Sequence, residues 1–130
     1  MDTPRATPVI EAFSRYAQAF RSLDPRAMPA HFHEPALMIT PDGVHALPDP
    51  VAVERLYARI MAELPAMGYA RTAFSPLEER RLGKELSVLT GSGSWVDSAG
   101  KKLNSFGLTY TLRRTDQGWR IVTAIIHDPQ

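Results

Sequence analysis

The chain contains no cysteine. That absence excludes a disulfide framework, a thiolate metal centre and a cysteine nucleophile. Nor is there an apolar run near the roughly 20 residues that a membrane-spanning helix needs. Charge of one sign is lacking too, since 15 basic residues against 14 acidic ones leave a net charge of +1. Nucleic acid is therefore not an expected partner, although Arg113, Arg114 and Arg120 gather at one hairpin end with Asp116 among them. Residues 1–8 are polar and hold no signal-peptide core. With the lack of cysteine, this fits a cytoplasmic protein. What is present is ordinary globular composition, 130 residues of which 44% are hydrophobic and 22% charged. The length predicts a single domain over residues 1–130, with 1–7 as a flexible arm and enough chain to bury a core.

Helical spacing opens the chain. Val9, Ile10, Phe13, Tyr16, Ala17, Phe20 and Leu23 recur in steps of three and four, which predicts an amphipathic helix over Pro8–Leu23. Asp24-Pro25 pairs a cap with an N1 proline and predicts a short second helix running toward Phe32. Glu34-Pro35 breaks it. A strand is expected at Ala36–Thr40, a turn at Pro41-Asp42-Gly43, and a return strand at Val44–Leu47. Asp49-Pro50 starts a third helix carrying Val53, Leu56, Tyr57, Ile60, Met61 and Leu64, ended by Pro65 and Gly68. Strand-like runs then follow at Tyr69–Leu82, Glu85–Val96, Leu103–Arg114 and Trp119–His127. Helices before strands indicate an α+β fold with helices packed on one sheet face.

The last two runs flank the turn Thr115–Gly118 and read as a long hairpin. If Arg114 pairs with Trp119, unbroken alternation pairs Leu112 with Ile121, Tyr110 with Thr123, Leu108 with Ile125 and Phe106 with His127. That face is bulky and is expected to meet the helices. Ser105, Gly107, Thr109 and Thr111, opposite Val122, Ala124 and Ile126, would form the outer face. It is apolar enough to call for a covering second subunit, a homodimer through the outer sheet face. Thr90-Gly91-Ser92-Gly93-Ser94 lies within a strand pattern and lacks the lysine and context of a phosphate loop. Its small residues would let the sheet bend, or leave room for a ligand at Thr90 and Ser92.

The order and spacing resemble the nuclear-transport-factor-2-like superfamily, the fold of ketosteroid isomerases and SnoaL-like polyketide cyclases. The residues that carry the likeness begin with Arg15-Tyr16, Ala17, Ala19 and Phe20 on the first helix. Asp24, Phe32, the strand Ala36–Thr40 and Pro41-Asp42-Gly43 come next, then Gly118-Trp119-Arg120-Ile121-Val122 and His127. The resemblance spans Pro8 to Asp128. It implies a cone-shaped, curved, mixed or antiparallel sheet wrapped around the first helix, with two further helices. It implies a cavity for an apolar small molecule and no cofactor. In ketosteroid isomerases a first-helix tyrosine donates to the oxyanion, and Tyr16 stands at that place. A second oxyanion acid sits on a late strand, where Tyr110 falls. The catalytic base is an aspartate before a proline after the first strand. Thr40 occupies that position and cannot serve. SnoaL-like cyclases use a late-strand carboxylate; Asp128 is near it, but alternation turns it away from His127.

Weighed as chemistry, His127 is the candidate acid or base, since an imidazole titrates near neutral pH. The alternative is a strand-end histidine donating to a backbone carbonyl. Tyr16 and Tyr110 are candidate donors to a developing oxyanion, or core aromatics with satisfied hydroxyls. Phe20, Met38 and Phe106 are expected to line the substrate pocket. His31, His33 and Glu34 cluster before the first strand, but at a helix end their side chains diverge, and no metal is expected. Two functions stay open. One is a cofactor-free isomerase, cyclase or dehydratase acting on an apolar carbonyl compound. The other is a non-catalytic dimeric module that binds a ligand or a protein.

Overall fold

The computed structural model describes residues 6–129. Of the expected N-terminal arm, residues 1–5 lie outside the described residues, whereas Thr7 is built into the fold. Its hydroxyl caps helix α1 (Pro8–Arg21) by accepting from the Ile10 N–H at 3.1 Å. The predicted stripe is the buried one, with Val9, Phe13, Tyr16 and Phe20 all facing the core. The expected short second helix is instead two separate 3-10 turns, Pro25–Ala27 and Pro29–His31. Pro29 has no N–H to continue a helix through that point. Asp24 caps the first turn, as its sequence position predicts.

Strand β1 covers Phe32–Thr40, four residues more than expected, and β2 covers Gly43–Leu47. Helix α2 (Pro50–Ala62) starts from the Asp49 cap, and a final turn, α3 (Leu64–Met67), ends at Gly68 with φ of 88°. That left-handed geometry favours glycine. The run Tyr69–Leu82, read as one strand, is two: β3 (Arg71–Phe74) and β4 (Glu78–Leu82). Pro76 interrupts it, and both halves pair with β5 (Leu86–Val96). Strands β6 (Phe106–Thr115) and β7 (Gly118–His127) complete the sheet. The order is β2-β1-β7-β6-β5-β3, with β4 beside β3 on the same edge. Among the described residues only β1 and β7 run parallel, so the sheet is mixed. Among the described residues, no helix is long and apolar enough to cross a membrane.

The expected hairpin register holds at Arg114–Trp119 and Leu112–Ile121 and then fails. Thr111 pairs with Thr123, which leaves Val122 as an extra residue on β7. Such a bulge moves every later side chain to the opposite face. Tyr110 therefore pairs with Ala124 and Leu108 with Ile126 on the inner side. Thr123, Ile125 and His127 turn outward beside Thr111, Thr109 and Gly107. The expectation that Phe106 and His127 share the inner face is corrected by this one residue.

A second anchor ties the sheet edge to the start of α1. Glu79 on β4 accepts from the Thr7 hydroxyl at 2.6 Å and from the Ser87 hydroxyl at 2.8 Å, with Arg81 at 3.5 Å. Burial pushes its carboxyl up, but these donors outweigh that and hold it below the usual carboxylate range. A depressed folded value means the contribution is complete above the unfolded glutamate pKa, about 4.3, and is lost as pH falls through the folded value. Thermal unfolding scans between pH 6 and pH 3 are therefore expected to show a smaller acid-induced loss for Glu79→Gln than for the wild type. Equal losses would remove Glu79 as a source of the pH dependence.

Candidate functional site

Between α1, α2 and the inner sheet face lies a cavity of about 250 Å³. Its walls are made by alternation and helical spacing acting together. Helix α1 presents Tyr16 and Phe20 one turn apart, and α2 presents Tyr57 and Ile60. Strand β1 contributes Met38, and β6 contributes Phe106, Leu108 and Tyr110 from alternate positions. Phe74, Trp95 and Asn104 close the far end. The aromatic walls brace one another. Phe20 lies parallel to Trp95 with ring centres 6.3 Å apart, and Trp95 meets Phe106 edge-on at 6.2 Å. Gly93 makes room here, because a Cβ on it would sit 2.8 Å from the Phe106 ring.

A row of three phenols runs through this largely apolar chamber. The Tyr16 hydroxyl is 2.8 Å from that of Tyr57 and 2.9 Å from that of Tyr110. All three residues are buried. Three hydroxyls carry three protons, and two bonds between them use two. Whichever way the bonds run, one O–H is left to donate elsewhere. Burial is the main cause that pushes all three phenols well above their ordinary pKa. They stay neutral at physiological pH and remain donors. Among the described lining residues there is no carboxylate, imidazole or amine.

The residues expected to form the site divide between the two sheet faces. Tyr16, Tyr110, Phe20, Met38 and Phe106 all line the cavity. His127 does not. Its ring stands over Gly107 on the outer face, in the space that a Cβ on that glycine would need. Its Nδ1 donates to the Asp128 carbonyl at 2.9 Å and its Nε2 faces the Thr109 hydroxyl at 3.3 Å. Placing His127 in the cavity wall is thus corrected, and the Val122 bulge is the reason. Thr90 and Ser92 are also corrected. They pair with Thr109 and Gly107 on the outer face and are exposed, whereas Gly91 and Gly93 take the inward positions. Thr40 does line the cavity, its Oγ1 accepting from the Asp42 N–H at 3.2 Å.

Tyr57 is a residue that sequence reasoning missed as part of the site. Its signal was present as a hydroxyl-bearing ring in the buried stripe of α2, where an apolar residue would serve packing alone. Asn104 was missed because it lies just before β6 in an irregular stretch. His31 sits beside the Tyr16 ring, with centroids 6.4 Å apart, but outside the lining. Burial, then Arg120 and Arg15, lower its pKa and favour the neutral form. His33, on β1, has its Nδ1 on the Pro35 carbonyl at 2.9 Å. Among the described residues, no group of three His, Asp or Glu is arranged to hold a metal.

Comparison with solved structures shows where this architecture recurs. The chain is similar to an NTF2-like protein with a cystatin-like fold from Novosphingobium aromaticivorans, with a TM-score of 0.77 and 18% identity over 92% of this chain and 79% of that one. It is similar to an NTF2-like superfamily protein from Salmonella enterica, with a TM-score of 0.70 and 18% identity over 94% and 89%. A cystatin-like-fold protein from Nostoc punctiforme gives a TM-score of 0.75 and 14% identity over 95% and 90%. Identities this low speak for the fold alone. No curated protein matches the chain. A family model described as NTF2-like protein (DUF6841) matches residues 6–129, the whole of the described fold with its cavity and tyrosine row, and the chain belongs to that NTF2-like family.

Proposed function

We propose that the protein binds an apolar small molecule carrying a carbonyl oxygen, with that oxygen accepting from the spare O–H of the Tyr16, Tyr57 and Tyr110 row. The observation that carries this reading is the proton arithmetic of three buried hydroxyls joined by two bonds. A donor left over in an apolar, aromatic chamber favours a ligand that brings an acceptor. The cavity is below the roughly 300–1,000 Å³ of sites for drug-sized ligands, so the fit is to a compact ligand of one or two rings. The described lining offers donors without a general base, which favours binding over the isomerase, cyclase or dehydratase chemistry of the ketosteroid isomerase and SnoaL-like resemblance. Calorimetric titration with 2-acetylnaphthalene and with 2-ethylnaphthalene tests this. The ketone is expected to bind about tenfold more tightly, the worth of one well-placed hydrogen bond. Equal affinities would refute the role of the tyrosine row.

The outer sheet face supports a second part of the reading, a homodimer. Leu37, Ile39, Thr123, Ile125, Thr109 and Thr111 form an uncharged field across β1, β7 and β6. Leu37 remains 36% exposed within it. A second copy suits this face because two uncharged copies of one patch meet across a two-fold axis without opposed charges. Light scattering after size exclusion is expected to give a dimer mass for the wild type and a monomer mass for Ile125→Glu. A monomeric wild type would exclude it.

A further inference from the structure

Apart from the tyrosine row and the indole N–H of Trp95, the cavity holds three polar side chains, those of Thr40, Thr72 and Asn104. The first two hydroxyls are engaged within the chain. Thr72 Oγ1 bonds the Tyr69 hydroxyl at 2.9 Å, and Thr40 Oγ1 accepts from the Asp42 backbone. Asn104 differs. Its Oδ1 accepts from the Trp95 backbone N–H at 3.0 Å, which fixes which end of the amide is oxygen. The Nδ2 group, with two protons, then has no protein partner among the described residues. Ser105 turns the other way, its hydroxyl 3.0 Å from that of Ser94, while Asn104 and Phe106 both contribute to the cavity.

The two donor groups stand at opposite ends of the chamber. Asn104 lies two residues before β6 and Tyr110 in its middle, and the Phe106 and Leu108 side chains line the wall between them. Beside that wall the rings of Phe20 and Trp95 stand parallel to within 17°. A chamber with flat apolar sides and a donor at each end selects a flat body with an acceptor at each end.

We propose that the ligand is a planar, ring-based molecule with two oxygen acceptors. One is the carbonyl held by the tyrosine row, and the other is an ether, carbonyl or similar oxygen at the opposite end, held by the Asn104 amide. This rests on the cavity being a carbonyl-ligand site, as proposed above. Its own content is the second anchor and the orientation that anchor imposes.

The test compares 6-methoxy-2-acetylnaphthalene with 2-acetylnaphthalene by calorimetry on the wild type and on Asn104→Asp. The aspartate keeps an oxygen for the Trp95 N–H and replaces the two donor protons with an acceptor, so the local fold is retained. Asn104→Leu, checked by its melting temperature, removes the donors without adding charge. For the wild type the methoxy compound is expected to bind threefold to tenfold more tightly, the range of one neutral hydrogen bond. In both variants the ratio of the two affinities is expected to fall to about one, whatever the absolute affinity of either compound. A methoxy advantage that persists in Asn104→Asp and Asn104→Leu, or that is absent from the wild type, overturns the second anchor. If 2-acetylnaphthalene binds no better than 2-ethylnaphthalene, the underlying carbonyl site is what has failed.

Discussion

Tyr16→Phe is expected to destabilise the protein more than Tyr57→Phe or Tyr110→Phe, although each removes a single oxygen. The reason is position in the row. The Tyr16 hydroxyl bonds both partners, at 2.8 and 2.9 Å, and no bond joins Tyr57 directly to Tyr110. Removing it leaves two buried hydroxyls without their partner. Removing either end leaves one hydroxyl pair intact. A buried polar group stranded without a hydrogen bond costs about 1–3 kcal/mol. Tyr16→Phe is thus expected to cost about 2–5 kcal/mol, and each end substitution about half of that. Set against total stabilities of about 5–15 kcal/mol for a domain, the central change is a large fraction. Urea unfolding of the three variants gives the ranking directly. The preference for ketone over hydrocarbon is also expected to shrink in Tyr16→Phe, because an O–H that ends a chain of hydrogen bonds is a stronger donor than a lone one. Equal costs for all three substitutions would show that the hydroxyls do not act as a row with Tyr16 at its centre.

Leu108→Ala is expected to have an effect of comparable size on stability and an opposite one on ligand range. Leu108 is 1% exposed and lines the cavity from the middle of β6. Its cross-strand partners are Gly91 on β5, against which the Leu77 side chain packs, and Ile126 on β7. Truncating a buried leucine costs about 2–5 kcal/mol, toward the upper end where the site cannot collapse. The vacated space adds to the ligand chamber. The variant is therefore expected to unfold at lower urea concentration and yet to accept a three-ring ketone such as 2-acetylanthracene, which the wild type binds poorly. If 2-acetylanthracene binds both forms alike, Leu108 does not set the length of the chamber.

Much of this architecture is legible in local pattern. The stripe Val9, Phe13, Tyr16 and Phe20 identifies the buried face of α1 without knowledge of what covers it. The caps Asp24 and Asp49, the turn before Gly43 and the stop at Gly68 each follow from the conformational preferences of one or two residues. Alternation along β6 places Phe106, Leu108 and Tyr110 on one side. These features depend on neighbours a few positions apart, and five of the residues expected in the site, Tyr16, Phe20, Met38, Phe106 and Tyr110, follow from them.

By itself, then, the sequence determined the α+β order of elements, the inward faces of α1 and β6, and a chamber walled by aromatic rings. Tertiary structure alone decided which residues join across long separations and which side of the sheet β7 presents. Tyr57 reaches Tyr16 across 41 positions and Tyr110 reaches it across 94. No local periodicity encodes such a meeting. In β7, Ile121, Val122, Ala124, Ile125 and Ile126 are apolar in both phases of the alternation, so pattern could not fix the register. The bulge at Val122 fixed it, sending Ala124 and Ile126 inward and His127 outward. A strand that can bury either face takes its register from the sheet it joins, because one extra residue exchanges both faces at once.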